Sequence, residues 1–259
     1  MSAARAPVLE GKKALLVGIA NEHSIAYGCA AAFRELGAEL AITYVKEKTR
    51  QYVAPLAQRL EAPIFMPLDV AKPGQLEAVF ERIAETWGRL DIMLHAISGG
   101  PKNEMRGGLL DCSAEGFGHA MDVSCHSFVR MARLAAPLMT DGGTMFAMSY
   151  LGANRVVPNY NIMGPVKAAL EAAVRYMAVD LGPRHIRVNA LSPGPVATRA
   201  ASGIAHFDEL LQRAVEQAPE HRLVTVDDVG ALAAFLVNDE AKAITGNIAY
   251  VDAGYHVVG

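Results

Sequence analysis

Residues 13–44 read KALLVGIANEHSIAYGCAAAFRELGAELAITY. An apolar run (13–18) breaks at a glycine loop, helical spacing follows over 24–36, Gly37 stands where a helix ends, and a second apolar run (39–44) begins. This is the pattern of one strand–helix–strand crossover. The runs are continuously apolar rather than alternating, which predicts strands covered by helices on both faces.

The same rhythm continues to the C-terminus. Apolar runs at 63–68, 90–97, 143–148, 185–191 and 247–251 predict five more strands, and helical spacing predicts helices over 46–60, 73–87, 113–139, 164–181 and 226–237. Pro73 is expected in a first helical turn and Gly182 at a helix C-terminus. Strands alternating with helices imply a doubly wound α/β fold around one seven-stranded parallel sheet with right-handed crossovers. No linker or repeat divides the chain, so one domain over 1–259 is expected. The exception to the rhythm is 195–224, a polar–apolar helical stretch beyond the sixth strand, where such sheets bind ligands.

Of the 259 residues, 52% are apolar and 20% charged, which excludes a disordered chain. The 24 basic and 27 acidic residues give a net charge of −3, so no basic excess favours nucleic acid and no Lys/Arg run favours an anionic membrane. No apolar run approaches the roughly 20 residues that span a bilayer, and the N-terminus lacks a signal-peptide core. A soluble, cytoplasmic protein is expected. Cys29, Cys112 and Cys125 are an odd number without a Cys-x-x-Cys pair, which argues against a disulfide framework. The eight histidines show no metal-ligand spacing, so no metal is expected. Met121, Phe128, Met131 and Met139 read as filling for a core or a subunit interface.

After the first strand come Gly18 and, at the start of the next helix, Ser24-Ile25-Ala26-Tyr27-Gly28. A helix N-terminus offers unpaired N–H groups and partial positive charge to a pyrophosphate, provided the backbone can come close. Gly18 would permit that approach, Ser24 would cap the helix and donate to phosphate, and Gly28 would let the helix pack near the sheet. The other reading is an ordinary glycine turn, since G-x-G-x-x-G is incomplete. The second strand ends in Tyr44-Val45-Lys46 with no carboxylate for a ribose 2′-hydroxyl, so NADH is not enforced. Lys46, Lys48 and Arg50 read as the solvated face of the second helix, with a 2′-phosphate seat as the alternative. Asp69 and Val70 end the third strand, where a carboxylate would approach an adenine amino group. His95 to Gly100 end the fourth strand with small residues that suit a bound cofactor.

The stretch Ser149-Tyr150 … Pro158-Asn159-Tyr160-Asn161-Ile162-Met163-Gly164-Pro165-Val166-Lys167 carries the chemistry. Hydride transfer to an electrophilic carbon leaves negative charge on a nearby oxygen, which needs a donor or acid. A tyrosine hydroxyl serves if a nearby cation orients it and lowers its pKa. Tyr160 and Lys167 are two helical turns apart, and Pro165 places the helix start between them. A purely structural Tyr–Lys pair is the competing reading.

With these residues the chain resembles the short-chain dehydrogenase/reductase superfamily and, within it, the type I enoyl-acyl-carrier-protein reductases of fatty-acid synthesis. The common Tyr-x-x-x-Lys signature is absent, since Gly164 occupies its last position. Tyr160, Lys167 and the earlier Tyr150 match the Tyr-x6-Lys pattern of those reductases, as do the loop from Gly18 to Ala26 and the segments Pro193–Thr198 and Ala200–Ile204. The resemblance implies a Rossmann fold and reduction of a trans-2-enoyl thioester, carried by acyl carrier protein or CoA, with NADH or NADPH. It implies catalytic roles for Tyr150, Tyr160 and Lys167, with Tyr160 holding the enolate oxygen. Cofactor contacts are implied at Gly18, Ser24, Ile25, Asp69, Val70, Ile97, Lys167, Val196 and Thr198. Substrate contacts are implied at Gly100, Tyr150, Tyr160, Ala200, Ile204 and Phe207, with 195–224 as a lid, and the assembly is expected to be a homotetramer.

Departures from the pattern are Gly99 in place of an aromatic residue, Pro165, Arg199, and acidic Asp208 and Glu209 on the lid helix. The acidic pair predicts weak docking of an acidic carrier protein unless Arg199, Arg213 or Arg222 compensates. A carbonyl reductase or alcohol dehydrogenase of the same superfamily, and a non-catalytic cofactor-binding sensor, are the competing functions. The missing Tyr-x-x-x-Lys counts against the first, and retention of Tyr160 with Lys167 against the second.

Overall fold

The computed structural model describes residues 6–101, 104–105, 107–196, 198 and 207–258, with the Phe207 side chain outside that description. Seven strands, β1 (Lys13–Val17), β2 (Glu39–Tyr44), β3 (Ile64–Pro67), β4 (Ile92–His95), β5 (Gly143–Met148), β6 (Ile186–Pro193) and β7 (Ile248–Val251), form one sheet in the order β3-β2-β1-β4-β5-β6-β7. Every adjacent pair is parallel. All seven expected strands are present: β2 and β5 match the apolar runs, β1, β3 and β7 are a residue or two shorter, β4 is trimmed at both ends, and β6 runs on to Pro193.

The helices are α1 (Ile25–Glu35), α2 (Glu47–Arg59), α3 (Gln75–Trp87), α4 (Ala114–Met121), α5 (Ser127–Ala135), α6 (Met163–Leu181), α7 (Phe207–Gln217) and α8 (Val226–Val237). They cover both faces of the sheet, and successive strand residues feed opposite cores. Leu15, Met93 and Met145 pack with Phe128, Leu170 and Val174 on one face. Leu16, Leu94 and Phe146 pack with Phe33, Leu56 and Val229 on the other. No helix among the described residues is long and apolar enough to cross a membrane.

Three local expectations are corrected. Pro73 precedes its helix, because Gly74 adopts a left-handed conformation (φ 80°) and α3 starts only at Gln75. Gly182 is the C-cap of α6, as expected, but it stays right-handed and opens a 3₁₀ turn whose left-handed stop falls on His185. The helix expected over 113–139 is interrupted at Asp122–His126 by a π-helical turn. There the Ser124 hydroxyl accepts from the Gly99 N–H (2.9 Å) and donates to the Gly99 carbonyl (3.0 Å), tying the interruption to the loop after β4.

The third correction concerns Gly28, which serves a helix rather than the sheet. A Cβ there would lie 2.2 Å from the Val226 carbonyl oxygen, and one on Gly230 would lie 2.5 Å from the Gly28 oxygen. The two glycines let α1 and α8 meet backbone to backbone. Gly28→Ala is therefore expected to destabilise the protein by about 1–3 kcal/mol, read as a fall of several degrees in Tm. Gly118→Ala, in a helix with open space around it, is the control, expected to leave Tm unchanged or raise it. Equal Tm values for the two variants would refute the packing account.

Candidate active site

The sheet order reverses at β1, whose neighbours are β2 and β4. Crossovers leaving in opposite directions open a crevice at the carboxyl ends of these strands. A cleft of about 1190 Å³, counted to its open mouth, lies there. Gly18 and Ser24 to Ala26 form one wall, Ala96 to Ser98 the middle, and Met148 to Tyr150, Tyr160 and Lys167 the other wall. Pro193 to Val196, Thr198, Met105 and Leu210 complete it.

Of the residues expected at the site, Gly18, Ser24, Ile25, Ile97, Tyr150, Tyr160, Lys167, Val196 and Thr198 line this one cleft. Asp69, Val70 and Gly100 lie outside its wall. Val70 is buried, and Arg130 donates to its carbonyl (3.0 Å). The Asp69 carboxylate accepts the Ala71 N–H at 3.2 Å. Ala200, Ile204 and Arg199 lie outside the described residues, and Phe207 opens α7.

The loop after β1 differs in detail from expectation. Ser24 occupies the N-cap of α1 but makes no capping bond. Its hydroxyl faces back into the loop, accepting from the N–H groups of Ala20 (3.0 Å) and Asn21 (3.1 Å) and lying 3.3 Å from the Asn21 side-chain oxygen. Gly18 has φ 116°, and a Cβ on it would sit 2.2 Å from the Ala96 carbonyl oxygen, so the next strand's chain end also demands glycine. Ile25 and Ala26 border the cleft in the first turn of α1, where N–H groups have no carbonyl one turn back. Arg50 pairs with Glu47 (3.2 Å) on the exposed face of α2, as in the solvated-face reading.

Tyr160 precedes α6 between Asn159 (φ 63°) and Asn161 (φ 43°). Asparagine tolerates this left-handed region better than other non-glycine residues. The Asn161 side chain donates to the Met105 carbonyl at 3.2 Å. Tyr160 and Tyr150 meet edge to face, with ring centroids 4.9 Å apart. Gly152 makes room for them, since a Cβ there would lie 2.4 Å from Tyr160 Cδ1. Pro165 falls in the first turn of α6, where its missing N–H costs no helical bond.

Burial, more than any other influence, pushes the Tyr160 and Tyr150 hydroxyls well above the ordinary tyrosine range. This corrects the expectation of a hydroxyl made more acidic by the lysine: desolvation dominates, and both groups are neutral O–H donors. The Tyr150 hydroxyl is buried without a hydrogen-bond partner among the described residues. Lys167 is 3% exposed, and its ammonium donates to the Met148 carbonyl at 2.6 Å. Burial lowers its pKa to about 8, opposed by Cys125 and Glu171.

Several groups around the lysine went unrecognised in the sequence. The Glu171 carboxylate, 3% exposed, accepts the Ser149 hydroxyl (2.5 Å) and the Asn154 amide (3.2 Å). His95, at the end of β4, is fully buried, and burial with the nearby Lys167 charge lowers its pKa to about 3. The Ser127 hydroxyl donates to the Val123 carbonyl (2.7 Å), so His95 Nε2, 2.7 Å away, is the donor to Ser127 and the ring is neutral. One signal was available: Lys167 and Glu171 lie on the same helical stripe as Val166, Leu170 and Val174, two charges in an apolar seam.

A sequence model of the enoyl-(acyl carrier protein) reductase family matches residues 18–256. The chain is 45% identical to an enoyl-[acyl-carrier-protein] reductase [NADH] of Rhizobium meliloti over 96% of its length and 93% of the relative's. It superposes with TM-score 0.94 on the enoyl-acyl-carrier-protein reductase of Anaplasma phagocytophilum, solved in complex with NAD, at 45% identity, covering 100% of this chain and 98% of that one. The corresponding enzyme of Bacillus cereus, solved with NADP⁺ and an indole naphthyridinone, gives TM-score 0.94 at 40% identity, covering 97% of this chain and 99% of that one.

Proposed function

We propose the following reaction for a chain that belongs to the enoyl-(acyl carrier protein) reductase family: NADH-dependent reduction of the trans-2 double bond of an enoyl thioester in fatty-acid synthesis. The observation that carries it is one cleft, at the reversal of strand order, lined by Tyr150, Tyr160, Lys167 and the N-terminus of α1.

The residues present fit a nicotinamide dinucleotide. The first-turn N–H groups of Ile25 and Ala26, beside Gly18, suit a pyrophosphate. The buried ammonium of Lys167 suits ribose hydroxyls, and Tyr150 lines the cleft with a buried hydroxyl that has no hydrogen-bond partner among the described residues. When bound, NADH supplies the hydride that reaches the β-carbon of the thioester. Tyr160, a neutral donor, holds the thioester carbonyl oxygen and stabilises the negative charge that develops there as the enolate forms. Lys167 fixes the nicotinamide ribose, and Tyr150 lines the acyl pocket. Val196 offers its backbone to the carboxamide, Thr198 reaches the pyrophosphate with Ser24, and Ile97 borders the cofactor. Asp69 and Val70 are assigned to the adenine end, and Gly100, Ala200, Ile204 and Phe207 to substrate contact, on the family pattern alone. Leu210 of α7 on the cleft wall supports a lid role for the insertion at about 195–224 within a single NAD(P)-binding domain. NADPH is a secondary donor, supported by the absence of a carboxylate at the end of β2.

A cytoplasmic homotetramer is the proposed form, and Tyr176 and Val179, 76% and 75% exposed on α6, are large apolar side chains on its outer side, beside the exposed Arg175 and Asp180. For the carrier, Asp208 and Glu209 are exposed at the start of α7. Arg222 does not offset them, since it is committed to Glu220 (2.8 Å) and Asp228 (2.9 Å). Acyl-CoA is therefore proposed as a substrate comparable to the carrier-bound thioester.

Tyr160→Phe is expected to lower kcat/KM for crotonyl-CoA by about 10²-fold or more while NADH affinity is kept. Undiminished reduction by this variant would remove the hydroxyl from the mechanism. At low salt, crotonyl-CoA and crotonyl-carrier protein are expected to show comparable kcat/KM. A large carrier preference that salt abolishes would instead establish electrostatic carrier docking.

A further inference from the structure

We infer that Glu171 is a positioning residue for this reaction: its buried carboxylate supplies the negative charge that holds the Lys167 ammonium in its seat beside the cofactor site. The inference rests on the reading of Lys167 as the ribose-binding residue.

The geometry joins the two side chains through consecutive residues of one strand end. Met148, at the end of β5, accepts the Lys167 ammonium on its carbonyl (2.6 Å), and Ser149 donates its hydroxyl to Glu171 (2.5 Å). Both partners come from α6, one helical turn apart, and each is 3% exposed. Asn154 closes the second carboxylate oxygen (3.2 Å) and also donates to the Tyr250 hydroxyl (3.0 Å). Neutral donors satisfy the lone pairs of Glu171 but leave its charge uncompensated, and an isolated buried charge of either sign costs several kcal/mol.

The surroundings single out this pair. Facing the ammonium from β4 is His95, neutral because burial lowers its pKa to about 3. From the π-helical turn comes Cys125, whose thiol burial pushes up and so keeps protonated at neutral pH. On the cleft side Tyr150 and Tyr160 are likewise protonated. Among the described residues around Lys167, Glu171 is left as the formal negative charge. Cys125 and then Glu171 oppose the desolvation that brings the lysine down to about 8, but the thiol does so only once ionised, so at neutral pH the opposition falls to Glu171. With that charge removed, Lys167 loses its proton at a lower pH.

The test follows NADH affinity by fluorescence from pH 6 to pH 9 in the full-length protein, with thermal stability measured alongside. The wild type is expected to lose affinity above a break near pH 8, where free Lys167 deprotonates. Glu171→Gln is expected to move that break down by about one pH unit, costing about fivefold in affinity at pH 8, close to about tenfold at pH 9 and little at pH 6. Glu171→Asp, which keeps the charge on a shorter arm, is expected to keep the wild-type break even if Tm falls. A loss in Glu171→Gln that is equal at every pH, or a break that stays in place, would make Glu171 a merely structural residue and overturn the inference. Lys167→Met serves as the separate control. If it binds NADH as tightly as the wild type, the reading of the lysine itself fails, whatever Glu171→Gln does.

Discussion

The arrangement of this protein turns on a cation buried where the sheet ends. An ammonium removed from water is costly, and Lys167 is kept by three things: the Met148 carbonyl, the Glu171 carboxylate one turn on, and a surrounding set of neutral groups. Each constrains a different element. The carbonyl fixes α6 against the end of β5, the carboxylate fixes Ser149 and the chain leading to Tyr150, and neutral His95 fills the end of β4 without repelling the lysine. The tyrosines respond to the same dry environment in the opposite sense, holding their protons more tightly. One pocket therefore keeps a charged base-type group beside two neutral donors, a combination that suits an oxygen about to become negative.

Packing far from the chemistry sets the walls at their spacing. The reversal of strand order at β1 opens the crevice. Gly28 and Gly230 bring α1 and α8 together, which fixes the N-terminus of α1 over the crevice. Gly152 leaves room for the Tyr160 ring, and the left-handed Asn159 and Asn161 turn the chain so that the ring precedes the helix carrying Lys167. Asn161 also reaches across to Met105, and Ser124 grips Gly99, so these two residues after β4 are tied to elements that carry the site.

The sequence carried the fold because strands buried on both faces must be apolar throughout, and that signal survives without any structure. Gly182 ends α6 as its residue type suggested, but a boundary was less legible where a single backbone angle decided it: the left-handed Gly74 displaced the start of α3 past Pro73. The π-helical turn left no periodic signature, since it depends on a hydroxyl, Ser124, finding a backbone partner on another element. At the site, Tyr150, Tyr160 and Lys167 were readable from spacing and resemblance together. The direction of the Tyr160 shift was not, because burial is a property of the assembled cleft. Ser24 turned into its own loop for the same reason: a hydroxyl takes the nearest donors, which only the folded turn reveals. Glu171 was legible only as a charge in an apolar seam, because its partner Ser149 comes from another element.

The central claim is that Lys167 is a charged group in a dry seat rather than a solvated lysine. Nitrogen NMR of ¹⁵Nζ-labelled lysine in the free protein, with the Lys167 resonance assigned by its loss in Lys167→Met, tests this directly. The account predicts an ammonium at pH 7 that titrates near 8. A midpoint at the ordinary lysine value of 10.5, shared with the exposed lysines, would contradict it.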